Sequence, residues 1–153
     1  QWLAPSSWLW LCLWLWLCLC LRLCLCLCGQ VLEYMEHDLA GLLEPSAPVS
    51  LTDAHRRQFM RHLMEGLDFC HRQHVFHRDL KSSNLLVNNR GRLQIADFGL
   101  ARVFRASVRR QYTNRVITRY YRPPELLLGS ELYGPEVDVW SAGCILGEVC
   151  VCE

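Results

Sequence analysis

The run His77-Arg78-Asp79-Leu80-Lys81-Ser82-Ser83-Asn84 places a carboxylate, a cation and a carboxamide within one short stretch, and Asp97-Phe98-Gly99 follows thirteen residues after Asn84. A carboxylate such as Asp79 can accept or orient a proton. Asp97 and the amide oxygen of Asn84 are the hard oxygen donors that magnesium prefers. Lys81, the only lysine of the chain, can meet an anionic group beside Asp79. Each residue also has a plain structural reading: Asp79 as a turn residue, Asn84 as a cap, Asp97 as a surface carboxylate. Their joint spacing favours the chemical one. His77 reads as a residue that holds the loop rather than as a proton carrier.

These groups need elements to position them. Thr52 or Asp53 can cap a helix running to about Gln73, with Phe59, Leu63, Leu67 and Cys70 as its apolar stripe and Met60 and Met64 beside it. Leu85–Val87 and Leu93–Ala96 read as short strands, and Asn88-Asn89-Arg90-Gly91-Arg92 between them is a hairpin turn signal. Asn84 and Asp97 therefore flank a hairpin. Val31-Leu32-Glu33-Tyr34 reads as the end of a strand, and Pro45, Ser46, Pro48 and Ser50 mark a loop. From Asp97 to about Glu125 the chain is irregular and Arg-rich. Pro135 suits the first turn of a last helix, with Val137, Trp140, Cys144 and Ile145 as its buried stripe. The pattern is α+β, with no internal repeat.

Together with Tyr121-Arg122-Pro123-Pro124-Glu125, the first two motifs resemble the signatures of eukaryotic protein kinases: catalytic loop, metal-binding Asp-Phe-Gly and the end of the activation segment. Leu32-Glu33-Tyr34-Met35-Glu36-His37-Asp38-Leu39 resembles the hinge of cyclin-dependent kinases. The Pro-Pro-Glu ending and Met64-Glu65-Gly66-Leu67 look most like their transcription-associated branch. A mitogen-activated kinase is the nearest rival, but its Thr-x-Tyr motif is absent. The resemblance covers about residues 31–149. It implies a partial protein-kinase-like fold, mainly the helical C-lobe with hinge, catalytic-loop hairpin and activation segment, the N-lobe being absent.

The resemblance also implies a Ser/Thr protein kinase that uses ATP and Mg2+. Asp79 would take the substrate hydroxyl's proton and Lys81 would reach the transferring phosphate; a lysine there is similar to serine/threonine rather than tyrosine kinases. Asn84 and Asp97 would hold the metal. The backbone at Glu33 and Met35 would meet the adenine edge, and Asp38 the ribose. Thr113 would be the activating phosphosite, read by Arg78 and Arg102 among seven arginines in a stretch with no acid between Asp97 and Glu125. Val116 and Ile117 would line the pocket for the residue after the phosphoacceptor, with Arg122 beneath; that residue is expected to be proline. Asp138 would tie down the catalytic-loop backbone. Arg119 and Tyr120 stand where the family usually has Leu and Trp. A cyclin and proteins with Ser/Thr-Pro sites are the implied partners, in nucleus or cytoplasm.

Composition sets limits around this core. Residues 31–153 carry equal numbers of acidic and basic groups, which argues against direct nucleic-acid binding through a polybasic surface. Six of the ten cysteines lie in the first 30 residues, and no Cys/His spacing suits zinc. Residues 1–30 form a separate segment, with Leu at every odd position from Leu9 to Leu27. It reads first as translated simple-repeat DNA. A membrane span over residues 8–28 and a signal peptide are the alternatives. Residues 150–153 form a tail outside the family. The chain begins with Gln, which suggests a fragment or a processed product. No G-x-G occurs, and Lys81 leaves no lysine for the nucleotide's α/β-phosphates. The 153 residues alone are therefore expected to be inactive. A catalytically dead kinase-like binding fragment and a membrane-anchored kinase-like protein are the other readings; intact metal ligands speak against the former.

Overall fold

Capping and periodicity build the framework from its first described residues. In the computed structural model, residues 32–47, 50–105 and 110–151 are described. The chain divides into two units, Gln1–Tyr34 and Met35–Glu153, and the second holds every element named here. Strand β1 (His37–Asp38) runs into helix α1 (Leu39–Leu43), whose N-cap Asp38 accepts the Gly41 N–H at 2.9 Å. Helix α2 (Asp53–Arg72) opens on a capping box in which the Thr52 hydroxyl accepts the His55 N–H and the His55 ring accepts the Thr52 N–H. Its stripe is the expected one: Phe59, Leu63 and Leu67 are buried, and Cys70 is partly so. The chain passes through β2 (Val75–Phe76) into the loop that carries His77 to Asn84.

The hairpin forms as β3 (Leu85–Val87) and β4 (Leu93–Ile95), with Leu85 opposite Ile95 and Val87 opposite Leu93. Gly91, at φ +74, supplies the left-handed residue of its turn, and the Asn88 side chain accepts the N–H groups of Arg90 and Arg92. β1 pairs with the other edge of β3, giving an antiparallel sheet in the order β1-β3-β4. Further on, β5 (Arg102–Val103) returns antiparallel to β2. Helix α3 (Pro124–Leu127) and helix α4 (Glu136–Val151) complete the unit. α2 packs between the hairpin and α4 over a core that includes Leu39, Leu63, Phe76, Leu80, Leu85, Val137 and Ile145.

Two expectations are corrected. Residues 32–34 form no strand; the ladder begins at His37, because that is where β3 offers a partner, and Val31 lies outside the described residues. Trp140, expected in the core, is 49% exposed. It lines a cavity of about 700 Å3 with Glu125, Glu136, Val139, Gly143 and Cys144. Among the described residues no helix is long and apolar enough to cross a membrane, and residues 8–28 lie outside them.

Candidate active site

The loop from His77 to Asn84 is anchored by one buried carboxylate. Asp138, in the first turn of α4, has no exposed surface. Its Oδ2 accepts the His77 N–H at 2.7 Å and lies 2.9 Å from His71 Nε2; its Oδ1 accepts the Arg78 N–H at 2.9 Å. This is the anchoring that the resemblance assigned to Asp138, and α2 adds His71 to it. His77 is itself structural. Its Nε2 meets the Ala96 carbonyl at 2.9 Å and its Nδ1 accepts the Asp79 N–H at 3.2 Å, so the proton sits on Nε2. With both ring nitrogens bonded to backbone, His77 fixes the distance between the loop and the hairpin's far strand.

Asp79 is then held from both sides. Oδ2 accepts Lys81 Nζ at 3.1 Å; Oδ1 accepts the Thr118 hydroxyl at 2.9 Å and the Thr118 N–H at 3.1 Å. Burial pushes its pKa up, but the Lys81 and Thr118 hydrogen bonds and the Lys81 charge outweigh it, so the carboxyl stays below its ordinary range. An ionised Asp79 accepts hydrogen bonds without donating any. It is suited to orient a hydroxyl and to take its proton late rather than to pull the proton off first.

Asn84 and Asp97 flank the hairpin at its open end. Asn84 Nδ2 donates to the Asp79 carbonyl at 2.9 Å, which leaves Oδ1 as the amide's acceptor. The Ala96 N–H donates to the Asn84 carbonyl at 2.9 Å, so Asp97 is the next residue along from a backbone bond to Asn84. Asp97 is exposed, at φ 60, and its Oδ1 accepts the Gly99 N–H at 3.3 Å. A spare amide oxygen and an exposed carboxylate fit a hard cation that keeps waters or phosphate oxygens as its other ligands.

The segment from Asp97 to Glu125 brings further expected residues together. Arg78, 2% exposed and at φ 69, donates from Nε to the Leu100 carbonyl at 2.8 Å and from Nη1 to the Tyr133 hydroxyl at 3.0 Å. Tyr133 in turn donates to the Thr113 carbonyl. Thr113 is exposed, and Arg102 is exposed on β5 with Nη1 on the Ala101 carbonyl at 2.7 Å. Val116 and Ile117 are buried. Ile117 has φ 62, an uncommon conformation for a β-branched residue. Its N–H reaches the Arg78 carbonyl at 3.1 Å, and its own carbonyl accepts Arg122 Nη2 at 2.9 Å and Nε at 3.2 Å. Arg122 Nε also reaches the Val116 carbonyl at 3.0 Å. Arg119 and Tyr120 are exposed in the adjoining 3-10 turn.

The expected hinge residues divide between the two units. Glu33 belongs to the first unit; Met35 and Asp38 belong to the second, where Asp38 caps α1. Sequence reading missed Thr118, Tyr133 and His71. Only position within a motif-rich stretch could have pointed to Thr118, and the other two carry no local signal.

A protein kinase domain model matches residues 27–153. Over 122 residues the chain is 57% identical to Cyclin-dependent kinase 12 of Drosophila melanogaster, covering 79% of this chain and 10% of that protein. It is 54% identical over 119 residues to Cyclin-dependent kinase C-2 of Oryza sativa subsp. japonica, covering 78% and 23%. The crystal structure of the yeast RNA Pol II CTD kinase CTDK-1 complex matches with a TM-score of 0.74 at 45% identity, over 79% of this chain and 39% of that one. The chain thus spans under a quarter of the length of these curated relatives. With the expected kinase fold and cyclin-dependent resemblance both met, this chain belongs to the protein kinase domain family, on its cyclin-dependent branch.

Proposed function

We propose that these residues carry the catalytic loop and substrate floor of a cyclin-dependent Ser/Thr protein kinase, which moves the γ-phosphate of ATP onto Ser or Thr followed by Pro. The observation that carries the reading is the pairing of Asp79 with the Ile117 corner. Thr118, which clasps Asp79, follows an Ile117 whose carbonyl is already taken by Arg122. A substrate residue seated there finds no free acceptor for its backbone N–H. Leaving that N–H buried costs about 1–3 kcal/mol, and proline, which has none, escapes the penalty.

In this reading Asp79 orients the acceptor hydroxyl and Lys81 offsets charge on the group in transit. Asn84 and Asp97 would hold Mg2+, which neutralises the nucleotide's phosphates when bound. The backbone at Glu33 and Met35, with Asp38, would receive the adenosine. Arg78 and Arg102 would answer a phosphate on Thr113. A cyclin partner and a nuclear setting follow the cyclin-dependent relatives. Residues 1–30 and 150–153 are proposed to lie outside the kinase unit. The 153 residues alone, with no G-x-G and no second lysine, are proposed to be inactive. The test is a peptide library with the intact protein and its cyclin, using Asp79→Asn as control. Equal rates for Ser-Pro and Ser-Ala peptides would remove the proline reading, and Asp79-independent turnover would remove the catalytic assignment.

A further inference from the structure

The group that joins the activation segment to the catalytic loop here is a phenol. Tyr133 is 7% exposed, and its ring packs on Phe76 and Tyr112 at centroid distances of 6.1 and 5.5 Å. Its hydroxyl does two things at once, accepting from Arg78 Nη1 and donating to the Thr113 carbonyl. The donation to Thr113 needs the neutral phenol. Burial pushes its pKa above the usual value despite the opposing pull of Arg78, so the proton stays. Arg78 is fixed elsewhere too: its guanidinium lies 5.7 Å from the Phe76 ring centroid and 5.9 Å from that of Tyr112, while Nε holds Leu100. Its backbone holds the Ile117 N–H, and the next residue is Asp79. A continuous line of bonds thus runs from Thr113 through Tyr133 and Arg78 to the catalytic carboxylate, with no phosphate in it.

We propose that Tyr133 is a positioning residue that stands in for the activating phosphate, bracing Thr113 against Arg78 while Thr113 is unmodified and so sustaining basal turnover. The brace acts on the Thr113 backbone, whereas a phosphate would act from its side chain. Arg78 Nη2 is bonded to no protein atom among the described residues and remains open to that phosphate. Once the phosphate arrives, the link no longer depends on the phenol.

This inference rests on the kinase reading, and the test separates the two. Tyr133→Phe in the intact kinase with its cyclin removes one hydroxyl and keeps the ring packing. With Thr113 unphosphorylated, turnover should fall about 10–150-fold, the effect of losing the charge-assisted hydrogen bond from Arg78 along with the bond to the Thr113 carbonyl. After Thr113 is phosphorylated by an activating kinase and ATP, variant and wild type should agree within about twofold by the same reasoning. Amide hydrogen exchange over residues 110–118, which needs no turnover, should show the same pattern. Equal exchange and turnover in the unphosphorylated proteins would overturn the inference, as would an equal loss in both phosphorylation states, which marks a merely structural tyrosine. Absence of any turnover that Asp79→Asn abolishes would end the kinase reading instead, and the exchange result would still decide the role of Tyr133.

Discussion

Replacing Asp138 with Asn changes one atom and a charge, yet it should be among the most damaging substitutions in this unit. The carboxylate accepts three hydrogen bonds, from His77 N–H, Arg78 N–H and His71 Nε2, with no exposed surface. An amide can accept at only one of the two oxygen positions. If its oxygen keeps His77 and His71, its NH2 faces the Arg78 N–H, and two buried donors lose their partners. Each unpaired group costs about 1–3 kcal/mol, and the surviving bonds fall from charge-assisted to neutral strength, so the total comes to about 3–6 kcal/mol. That is a large share of a typical domain stability of about 5–15 kcal/mol. Arg78 also gives up the bond that helps hold it at φ 69, which displaces Asp79. Chemical denaturation of the kinase domain, followed by circular dichroism, reads the loss as a lower midpoint at unchanged slope. A shift worth less than about 1 kcal/mol would show that the carboxylate is not the anchor, since a single ordinary hydrogen bond is worth that much.

Asp79→Asn in the intact kinase should lower kcat about 10²–10⁴-fold while sparing ATP affinity, and Asp97→Asn should instead weaken magnesium-dependent nucleotide binding; steady-state kinetics and calorimetry separate the two. Thr113→Ala should leave only basal activity, and mass mapping of the active enzyme should find phosphate on Thr113; full activity of the variant removes Thr113 as the switch. Thr118→Val deletes one hydroxyl that holds Asp79 ionised. Because that bond lowers the Asp79 pKa, its loss raises it, so the acid limb of the kcat–pH profile should move to higher pH; a limb that stays in place or moves down refutes the assignment.

Local features of this fold were legible in local sequence. The Thr52 cap and the Phe59, Leu63, Leu67 stripe delimit α2 because helix capping and periodicity operate within a few residues. The Asn88–Arg92 turn likewise announces the hairpin that sets Asn84 beside Asp97. What escaped reading is long-range. Thr118 and Asp79 meet across 39 residues, and the Tyr133 hydroxyl joins two segments through a carbonyl that has no sequence signature. Trp140 looked like core because its helical spacing matches Val137 and Cys144. Periodicity gives a face but not its edges: Val137 on that stripe is fully buried, while Trp140 beside it is left half exposed. His71 gave no sign of its role, because a histidine in a last helical turn is equally a favourable partner for the helix dipole.

The Arg122 fork has a consequence in the entropy of chain closure. Arg122 grips the Val116 and Ile117 carbonyls from five or six residues away, whereas Thr118–Asp79 closes a loop of 39 residues. Closure cost grows with the logarithm of loop length, so the short loop is favoured by about 2 kcal/mol over the long one. The corner from Val116 to Arg122 is therefore a self-closed module. It can assemble before the rest of the segment docks, and under heat or denaturant it should stay closed while its distant ties, Ile117 to Arg78, Thr118 to Asp79 and Tyr121 to Ser82, Ser141 and Glu148, let go together. Loosening of this segment would then move the corner as one rigid body away from Asp79, rather than melt it residue by residue.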